Sequence, residues 1–502
     1  MSKQFRTCTL DQPLLLPPSL QDWLPENHLA RFIADVTDKL DLSQIMAEFT
    51  RRDGRGMTAY HPVMMARLLL YGYCKGIVSS RQLERATYEN VAFRFLAADQ
   101  HPDHDSISAF RQTHLQALAG LFTQALQLCQ KAGLVKLGHV AIDGTKLKAN
   151  ASKHKAMSYD RMPEKEKQLR EEVDKLLAQA AQADAKEDAK YGAGKQADEL
   201  PAELARRESR LQKIAEAKAS LEQEARELAR IKKAEVEAKL EKRRLEEEKR
   251  GKKFGGRPPQ VPDPEQAKPE PKAQRNFTDP DSRIMLDGAT KSFMQAYNAQ
   301  AVATVDQVIV AAEVTNDGSD DGQFVPMVAA TKQNLRAAGV RTRVRTVLAD
   351  AGYWSKNNVA TPGVEALIAP GRTPDIKRDL RVEAKRAEVL ARVERGEIST
   401  REAASELGVG RSRIDQLLLA RKRSLPPTPA VAMTAKLATP RGRRLYKKRS
   451  ATIEPVFGQT KHNRGIRRFA RRGMTAVNSE WKLIAATHNI LKLWRHPNPA
   501  YA

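Results

Sequence analysis

The chain has 502 residues, which is too long for a single hydrophobic core, so we expect about two to four domains. A net charge of +25 and a pI near 9.9 favour a polyanionic partner. Nucleic acid is a better candidate than a membrane, because the most apolar run, residues 62–73, is short and is interrupted by Arg67. The N-terminal MSKQFRTCTL lacks the apolar segment of a signal peptide, which predicts a cytoplasmic protein.

The cysteines predict neither a zinc site nor a disulfide framework. Cys8, Cys74 and Cys129 are isolated from one another and match no metal-binding spacing. We therefore expect them to be buried thiols.

Residues 1 to 135 have a helical pattern. The densest part, His61 to Ala97, predicts two amphipathic helices around a Gly-containing turn, which suits a DNA-binding module. A plain helical bundle explains the same pattern. The following His101, Asp103, His104 and Asp105 have the residue types of a metal cluster, but a polar turn that ends in a helix cap is the preferred interpretation.

Two apolar runs end in an aspartate that is closely followed by glycine. GHVAIDGT ends in Asp143 and Gly144, and RVRTVLADAGY contains Asp350 and Gly352. Both runs predict buried strands that terminate at a turn. The two carboxylates therefore lie at the carboxyl ends of strands, where open α/β sheets place their sites.

A long insertion separates these strands. Residues 163 to 250 are rich in Ala, Glu, Lys, Leu and Arg, and they predict a helical hairpin whose second arm runs from Ala202 to Arg250. This arm has an a/d heptad typical of a coiled coil, formed by Leu204, Leu211, Ile214, Leu221, Ala225 and Leu228. The Pro-rich segment that follows predicts a flexible linker. We expect the hairpin to contact DNA or to pair two protomers; a solvated spacer is the alternative.

The sheet pattern then resumes. Ser292 to Val305 and Gln307 to Thr315 predict an antiparallel hairpin, followed by a helix within 320–338, the Asp350 strand, a short helix and a strand at 364–370. Together with the Asp143 strand, this order predicts a mixed α/β sheet of five strands. A second helical insertion, residues 375–424, contains a pair of helices around Gly408 that is typical of a helix-turn-helix. An ordinary helical hairpin is the alternative.

The C-terminal stretch from Arg441 to Arg472 is strongly basic and contains one carboxylate, Glu454. On an α-helix Glu454, Lys461 and Arg468 share one face, and Pro455 places Glu454 at the start of that helix. A carboxylate ringed by cations suits a metal ion beside phosphates. The alternative is a basic helix whose single Glu forms an ion pair. Met474 to Trp494 predicts an amphipathic core helix.

These motifs resemble the bacterial insertion-sequence transposases of the DDE class. Asp143 and Asp350 match the two Asp residues of that class and Glu454 matches the Glu. The Tyr, Arg, Glu, Lys signature is matched by Tyr446, Arg449, Glu454 and Lys461, although four residues separate Arg449 from Glu454 where three are usual. The resemblance implies an α/β fold with a ribonuclease H-like sheet, a helical N-terminal DNA-binding domain and two helical insertions, the first a coiled-coil hairpin and the second helix-turn-helix-like.

The implied domains follow the chain in order. They are an N-terminal domain (1–135), the first catalytic strand (136–154), the hairpin insertion with its linker (155–275), the catalytic sheet (276–372), the second insertion (373–432) and the C-terminal catalytic helices (433–502).

The resemblance also implies a reaction, cofactors and partners. Asp143, Asp350 and Glu454 are the expected catalytic residues and ligands of two Mg²⁺ ions, for which Mn²⁺ substitutes. The implied reaction is cleavage of the element's ends by an activated water and transfer of the released 3′-hydroxyl to target DNA. The partners are double-stranded DNA, as terminal inverted repeats and target, and a second protomer in a dimer associated with the bacterial nucleoid. The expected DNA-binding residues are Tyr446, Arg449, Lys461, Arg464, Arg468, Arg411 and Arg413.

Two alternatives remain open. A DNA-binding regulator explains the positive charge and the helix-turn-helix pattern, but it does not explain the three carboxylates. An inactive transposase-derived DNA-binding protein has the same ligands without turnover. A further choice concerns the third metal ligand: Glu313 lies on a predicted strand, but that strand is expected at the sheet's edge, so Glu454 is preferred.

Overall fold

The computed structural model describes residues 19–50, 59–191, 202–252, 254–288, 290–371, 373–422 and 428–496. The chain divides into two compact units. Unit 1 comprises Met1–Thr145, Asn298–Ala470 and Thr475–Ala502, and unit 2 comprises Lys146–Tyr297 and Arg471–Met474. Among the described residues, no helix is long and apolar enough to cross a membrane.

The N-terminal part of unit 1 is helical, as predicted. One of its helices begins at Pro62, a position where the missing backbone N–H is tolerated. This helix ends at Gly76, which has the left-handed conformation with φ of 80°. The predicted polar turn is confirmed, because Asp103 caps the next segment by accepting the Ser106 N–H at 2.8 Å. The helices are α1 Leu29–Asp38, α2 Ser43–Thr50, α3 Pro62–Lys75, α4 Ser80–Glu89, α5 Val91–Leu96, α6 His104–Thr113 and α7 Leu115–Lys131.

Two of the cysteines are buried free thiols, as expected. Cys74 and Cys129 lie in α3 and α7, and burial raises the pKa of each thiol to about 12. Cys8 lies outside the described residues.

One sheet of six strands in the described chain organises the α/β part. The five predicted strands are present, but the count of five is wrong, because Arg283–Leu286 adds a sixth. This strand is short and only partly buried, and its apolar run, Ile284 to Leu286, has fewer residues than a strand prediction requires. The strands are β1 Val140–Lys148, β4 Arg283–Leu286, β5 Phe293–Thr304, β6 Ile309–Thr315, β7 Thr346–Ala349 and β8 Glu365–Ile368.

The strand order places β1 at the centre. The order is β4-β5-β1-β7-β8, and β6 pairs with β5. The β5–β6 pair is the predicted antiparallel hairpin, whereas β7 is parallel to both β1 and β8. The predicted helices between these strands are α10 Phe324–Ala337 and α11 Lys356–Val359.

The second insertion forms three helices with their own small core. They are α12 Thr373–Glu394, α13 Thr400–Leu407 and α14 Arg411–Lys422. The predicted helix pair is present, since Ser399 and Glu402 form a capping box and Gly408 ends α13 at φ of 62°. Val389, Ala403 and Ile414 are buried together between the three helices.

The C-terminal helices differ from the sequence prediction at Pro455. The helix does not begin at Glu454: it runs from Pro440 to Gly458 and contains Pro455 in its interior. A proline there leaves the carbonyl four residues earlier without its helical N–H. Gln307 compensates, because its Nε2 donates to that carbonyl, Ala451 O, at 3.1 Å. The elements are α15 Pro429–Ala438, α16 Pro440–Gly458, a π-helical turn Gln459–Asn463 and α17 Met474–Trp494.

Unit 2 contains the predicted hairpin, α8 Met162–Tyr191 and α9 Ala202–Arg250. Lys218 pairs with Glu166 and Arg207 with Glu172, so the two helices run antiparallel. The predicted break between the two helices, Tyr191 to Pro201, lies mostly outside the described residues. The side chain of Leu204 also lies outside the described part.

The heptad is only partly buried. Ile214 and Leu221 pack against Met162 and Leu169, but Leu228 is 52% exposed. The described side chains therefore form a short apolar contact at the base of the hairpin, and a coiled-coil seam along the whole of α9 is not present among them.

The segment after α9, which the sequence predicts to be a flexible linker, contacts the hairpin near both of its ends. Arg243 Nη2 donates to Phe254 O at 3.0 Å, and the guanidinium of Arg250 lies 4.9 Å from the Phe254 ring centroid. Farther along, Ala273 packs against the core at the base of the hairpin, just before β3 Gln274–Asn276, which pairs with β2 Ala156–Ser158. Phe254 and Ala273 therefore attach the two ends of this Pro-rich segment to the hairpin.

Candidate active site

Two of the predicted carboxylates lie on neighbouring strands. Strands β1 and β7 are parallel, with Val140 opposite Val347 and Ala141 opposite Leu348. Continuing this register by two positions places Asp143 beside Asp350. Apolar residues precede both, so the core holds the two strands at this point. Asp350 directly follows β7, but β1 continues past Asp143 to Lys148, so the predicted end of the strand at Asp143 and Gly144 is wrong.

The two aspartates share a negatively charged and mostly buried environment. Burial, followed by the negative charge of Asp350, raises the pKa of Asp143 to about 7. Burial also raises the pKa of Asp350, whose Oδ1 accepts the Gly352 N–H at 2.9 Å. The glycine after each aspartate thus supplies a backbone N–H, since Gly144 N donates to Asp143 Oδ1 at 2.8 Å.

Arg449 joins Asp143 to Glu454. Its Nη1 lies 3.5 Å from Asp143 Oδ2, and its Nη2 lies 3.6 Å from Glu454 Oε1. The side chain of Glu454 is 61% exposed, whereas that of Arg449 is only 18% exposed. Tyr446 is half-buried on the same helix and hydrogen-bonds to Arg449; burial raises its pKa. The four-residue gap between Arg449 and Glu454 therefore does not prevent their contact.

The remaining predicted cations have different surroundings. Lys461 lies in the π-helical turn after α16, and Arg468 is exposed in the non-helical segment beyond it. The predicted helical face shared by Glu454 and Arg468 is therefore wrong, because the helix ends before Gly465, which has φ of 66°. Arg411 and Arg413 are exposed on α14, and no bond within the described residues joins them to the carboxylates.

Arg464 is a correction to the predicted DNA-binding set. Its guanidinium is buried and donates to Thr487 Oγ1 at 2.9 Å and to Thr460 Oγ1 at 3.0 Å. Burial lowers its pKa to about 10. This side chain packs inside the protein and cannot reach a phosphate from that position.

A further carboxylate, Asp320, lies in the same site and was not predicted. Its Oδ1 accepts hydrogen bonds from Asn298 Nδ2 and Gln300 Nε2, each at 2.7 Å. Its negative charge acts on both Asp143 and Asp350, because it contributes to the raised pKa of each. The signal in the sequence is the presence of amide residues, Asn298 and Gln300 among them, in the mostly apolar β5, followed after β6 by an acidic loop.

Gly144 allows Asp320 to approach β1. A Cβ at this position would lie 2.7 Å from Asp320 Oδ1 and 2.8 Å from Asn298 Oδ1, which is closer than real Cβ contacts. Glycine is therefore required here for close packing, not for an unusual backbone angle.

Buried residues hold this arrangement from behind. The Tyr353 hydroxyl donates to Gln300 Oε1, and Trp481 Nε1 donates to Gln300 O at 2.8 Å. Tyr353 follows Asp350 by three residues, so the same amide side chain links the Asp350 turn to Asp320.

Glu313, the rival third ligand, has other partners. Its carboxylate lies 2.9 Å from Lys482 Nζ and accepts the Asn478 Nδ2–H at 2.8 Å. Both partners are on α17, so the negative charge of Glu313 is already compensated.

The donor set suits a hard divalent cation. Carboxylate oxygens are the ligands that Mg²⁺ prefers, and the mutual repulsion that raises the pKa of Asp143 would be relieved by such an ion. Among the described residues, however, no three His, Cys, Asp or Glu are already gathered closely enough to hold a metal ion. Arg449 provides the positive charge between Asp143 and Glu454 in this arrangement.

Two segments match known families. Residues 18–113 match a transposase domain (DUF772), and residues 421–494 match a transposase DDE domain. The second segment contains Glu454, whereas Asp143 and Asp350 lie outside both. No curated protein and no solved structure shows a significant match to the chain. The two domain matches confirm the predicted resemblance to the insertion-sequence transposases of the DDE class.

Proposed function

We propose that the chain cleaves DNA at the ends of its insertion sequence and transfers the released strand to target DNA. The observation that supports this most directly is the position of Asp143 beside Asp350 on adjacent parallel strands, with Glu454 connected to Asp143 through Arg449. A regulator that only binds DNA has no need for half-buried carboxylates that repel one another.

We also infer a ribonuclease H-like catalytic core. Leaving β4 aside, the strand order is β6-β5-β1-β7-β8, in which the first strand is central and the third lies beyond the second. This is the order that the resemblance implies. It separates Glu313 on β6 from Asp143 on β1 by a whole strand.

Asp143, Asp350 and Glu454 would hold two Mg²⁺ ions, or Mn²⁺ in their place. Asp320 is a fourth candidate, because one of its oxygens is fixed by two amides next to Gly144. When bound, such ions would stabilise the charge that develops on the entering and leaving oxygens of the phosphodiester.

The chain's own cations would position the DNA. Arg449 is released from Asp143 if a metal takes over that carboxylate, and its guanidinium can then bind a phosphate in a bidentate manner. The half-buried Lys461 and the exposed Arg468 lie in the segment that follows Glu454 and would bind neighbouring phosphates. The Tyr446 hydroxyl would hold Arg449 in place.

The helical parts would bind DNA outside the active site. In the second insertion, Arg411 and Arg413 are exposed on α14, the second helix of the pair. We assign this helix and the N-terminal helices to the terminal inverted repeats, and we expect a dimer to pair the two ends near the nucleoid.

A cleavage assay tests the proposed function. The substrate is a plasmid that carries the complete element with its flanking DNA, incubated with the full-length protein and Mg²⁺ or Mn²⁺. Strand breaks at the element ends are expected with either ion and not with a chelator. Metal-independent cleavage, or none under any condition while the ends are bound, would contradict the proposal.

A further inference from the structure

Unit 2 contains a positively charged cavity that the site described above does not use. Its volume is about 620 Å³, and it lies between α9 and the segments around residues 154–157 and 277–278. Lys155, Arg206, Arg210 and Lys213 line it together with His154, and its lining contains no Asp or Glu. A cavity of this composition has a strong preference for an anion.

The cations come from one face of α9. Arg206, Arg210 and Lys213 are spaced by four and three residues, so they lie one above another on the helix surface. Like charges at this spacing repel one another and destabilise an isolated helix. The described residues offer none of the three an ion pair, whereas their neighbours Arg207 and Lys218 pair with Glu172 and Glu166 of α8.

The walls of the cavity are fixed by packing and not by its charges. Phe277 N donates to Lys155 O at 3.0 Å, which ties the two loop segments together. Phe277 and Met157 also pack on the apolar cluster formed by Met162, Ile214 and Leu221. The positive charge is therefore held on a rigid base, as a preformed binding site requires.

We propose that this cavity binds the sugar-phosphate backbone of duplex DNA. From Arg206 to Lys213 the helix rises by about 10 Å, a length that covers about three phosphates of one strand at about 3.4 Å of duplex axis each. A single inorganic phosphate would use only part of this row. Phe277 packs on the core, and the cavity lining has one other aromatic ring, the imidazole of His154, among four Lys and Arg side chains, so we expect mainly phosphate contacts that are independent of sequence.

This inference rests on the proposed function only in taking DNA as the partner. It assigns the hairpin a task during the reaction: the base of the hairpin grips DNA, while Asp143 and its neighbours carry out cleavage. Binding in the cavity and cleavage at the carboxylates are therefore separable by mutation.

The test is the affinity of the full-length protein for a short duplex DNA of unrelated sequence, measured by fluorescence anisotropy at several salt concentrations. The cavity variant combines Arg206→Ala, Arg210→Ala and Lys213→Ala. The control combines Arg226→Ala, Lys232→Ala and Lys239→Ala, which removes the same charge from exposed positions on the same helix. Alanine favours helix, so neither set should unfold α9, and circular dichroism verifies this.

The cavity variant should bind at least about tenfold more weakly at low salt, and the slope of log affinity against log salt should fall by about 0.9 for each phosphate that the variant no longer neutralises. The control should change by less than about twofold, as expected for screened surface charges.

Equal reductions in both variants, or unchanged affinity in the cavity variant, would overturn the inference. Unaltered DNA affinity with a lower mass in solution would assign the cavity to protomer pairing instead. A wild-type protein that binds DNA without cleaving it would count against the proposed function alone.

Discussion

Two regions of the molecule carry excess charge of opposite sign. Beside the end of β7, Asp143, Asp350 and Asp320 repel one another, and Arg449 offsets part of their negative charge. In the cavity of unit 2, five basic residues face one space without a carboxylate. Elsewhere in the described chain many charges occur in pairs, for example Lys482 with Glu313 and Arg441 with Glu365.

The difference between the two regions is burial. The aspartates are largely removed from water, and each is fixed by backbone or amide hydrogen bonds, so their unfavourable charge requires a ligand at a defined position. The cavity cations are exposed and keep their hydration. They suit an extended ligand that makes several contacts and whose affinity falls as the salt concentration rises. The first arrangement fits an ion and the second fits a polyanion.

The largest effect is expected when the three proposed catalytic carboxylates are removed one at a time. Asp143→Ala, Asp350→Ala and Glu454→Ala should each lower cleavage by about a hundredfold to a thousandfold, because a single group that stabilises developing charge is worth about 10² to 10³. DNA affinity should remain near that of the wild type, since the cations are intact. Cleavage and anisotropy assays on the same preparations measure both. Full cleavage by any one variant would remove that residue from the active site.

Asp320 should give the next largest effect. In Asp320→Asn the amide oxygen can still accept the hydrogen bonds from Asn298 and Gln300, so the fold should persist while the negative charge is lost. Affinity for Mn²⁺, measured by titration with the full-length protein, should fall by about 10- to 100-fold, the range seen when supporting groups at metal sites are removed. Asp321→Asn is the matched control, because Asp321 is adjacent and exposed. Equal Mn²⁺ affinity in wild type and Asp320→Asn would restrict Asp320 to a structural role.

The sequence revealed Asp143 and Asp350 but not Asp320, and the reason is physical. An apolar run that ends in Asp and Gly reports on local structure, because strand and turn preferences act over a few residues. Asp320 is one of three aspartates in the loop NDGSDDG, and only its pairing with Asn298 and Gln300 selects it. That pairing depends on the register of the sheet, which no local pattern specifies.

The errors in the basic C-terminal stretch have the same origin. Arg464 is surrounded in sequence by exposed cations, but partners on α3 and α17 bury it. Pro455 predicts a helix start, but the side chain of Gln307 replaces the hydrogen bond that proline removes. Composition singles out this stretch as a candidate site, whereas tertiary contacts decide which of its residues lie near Asp143.

A smaller effect is expected at Gly144. In Gly144→Ala the added methyl group would contact Asp320 and Asn298 at distances that neither can accept without moving. We expect a loss of about 1 to 3 kcal/mol in the free energy of unfolding, as for other overpacked positions. Displacement of Asp320 should also weaken Mn²⁺ binding. Urea unfolding measures the first effect. Gly138→Ala is the control, because no atom lies within 4 Å of a Cβ at that position. A fully stable Gly144→Ala with normal Mn²⁺ affinity would show that Asp320 does not depend on this close approach.

The smallest effect should come from the compensated carboxylate, Glu313, and it distinguishes the two candidates for the third ligand. Strand β5 lies between β6 and β1, so Glu313 stands about 10 Å to the side of the Asp143 strand at the usual spacing of about 4.8 Å between strands. Ligands of Mg²⁺ must lie about 2.0 to 2.1 Å from the ion, and Glu313 is in addition held by Lys482 and Asn478.

Glu313→Gln should therefore retain metal-dependent cleavage. It should lose less than about 1 kcal/mol of stability, because the ion pair that it breaks is partly exposed. Glu454→Gln should lose cleavage although Glu454 is the more exposed of the two. Arg449 contacts both Glu454 and Asp143, so Glu454 lies close to the proposed metal site. The two variants make the same chemical change, so their cleavage rates can be compared directly at equal DNA affinity. If Glu313→Gln were inactive and Glu454→Gln active, the basic C-terminal stretch would serve DNA binding alone, and the compensated charge on β6 would be the one that the reaction uses.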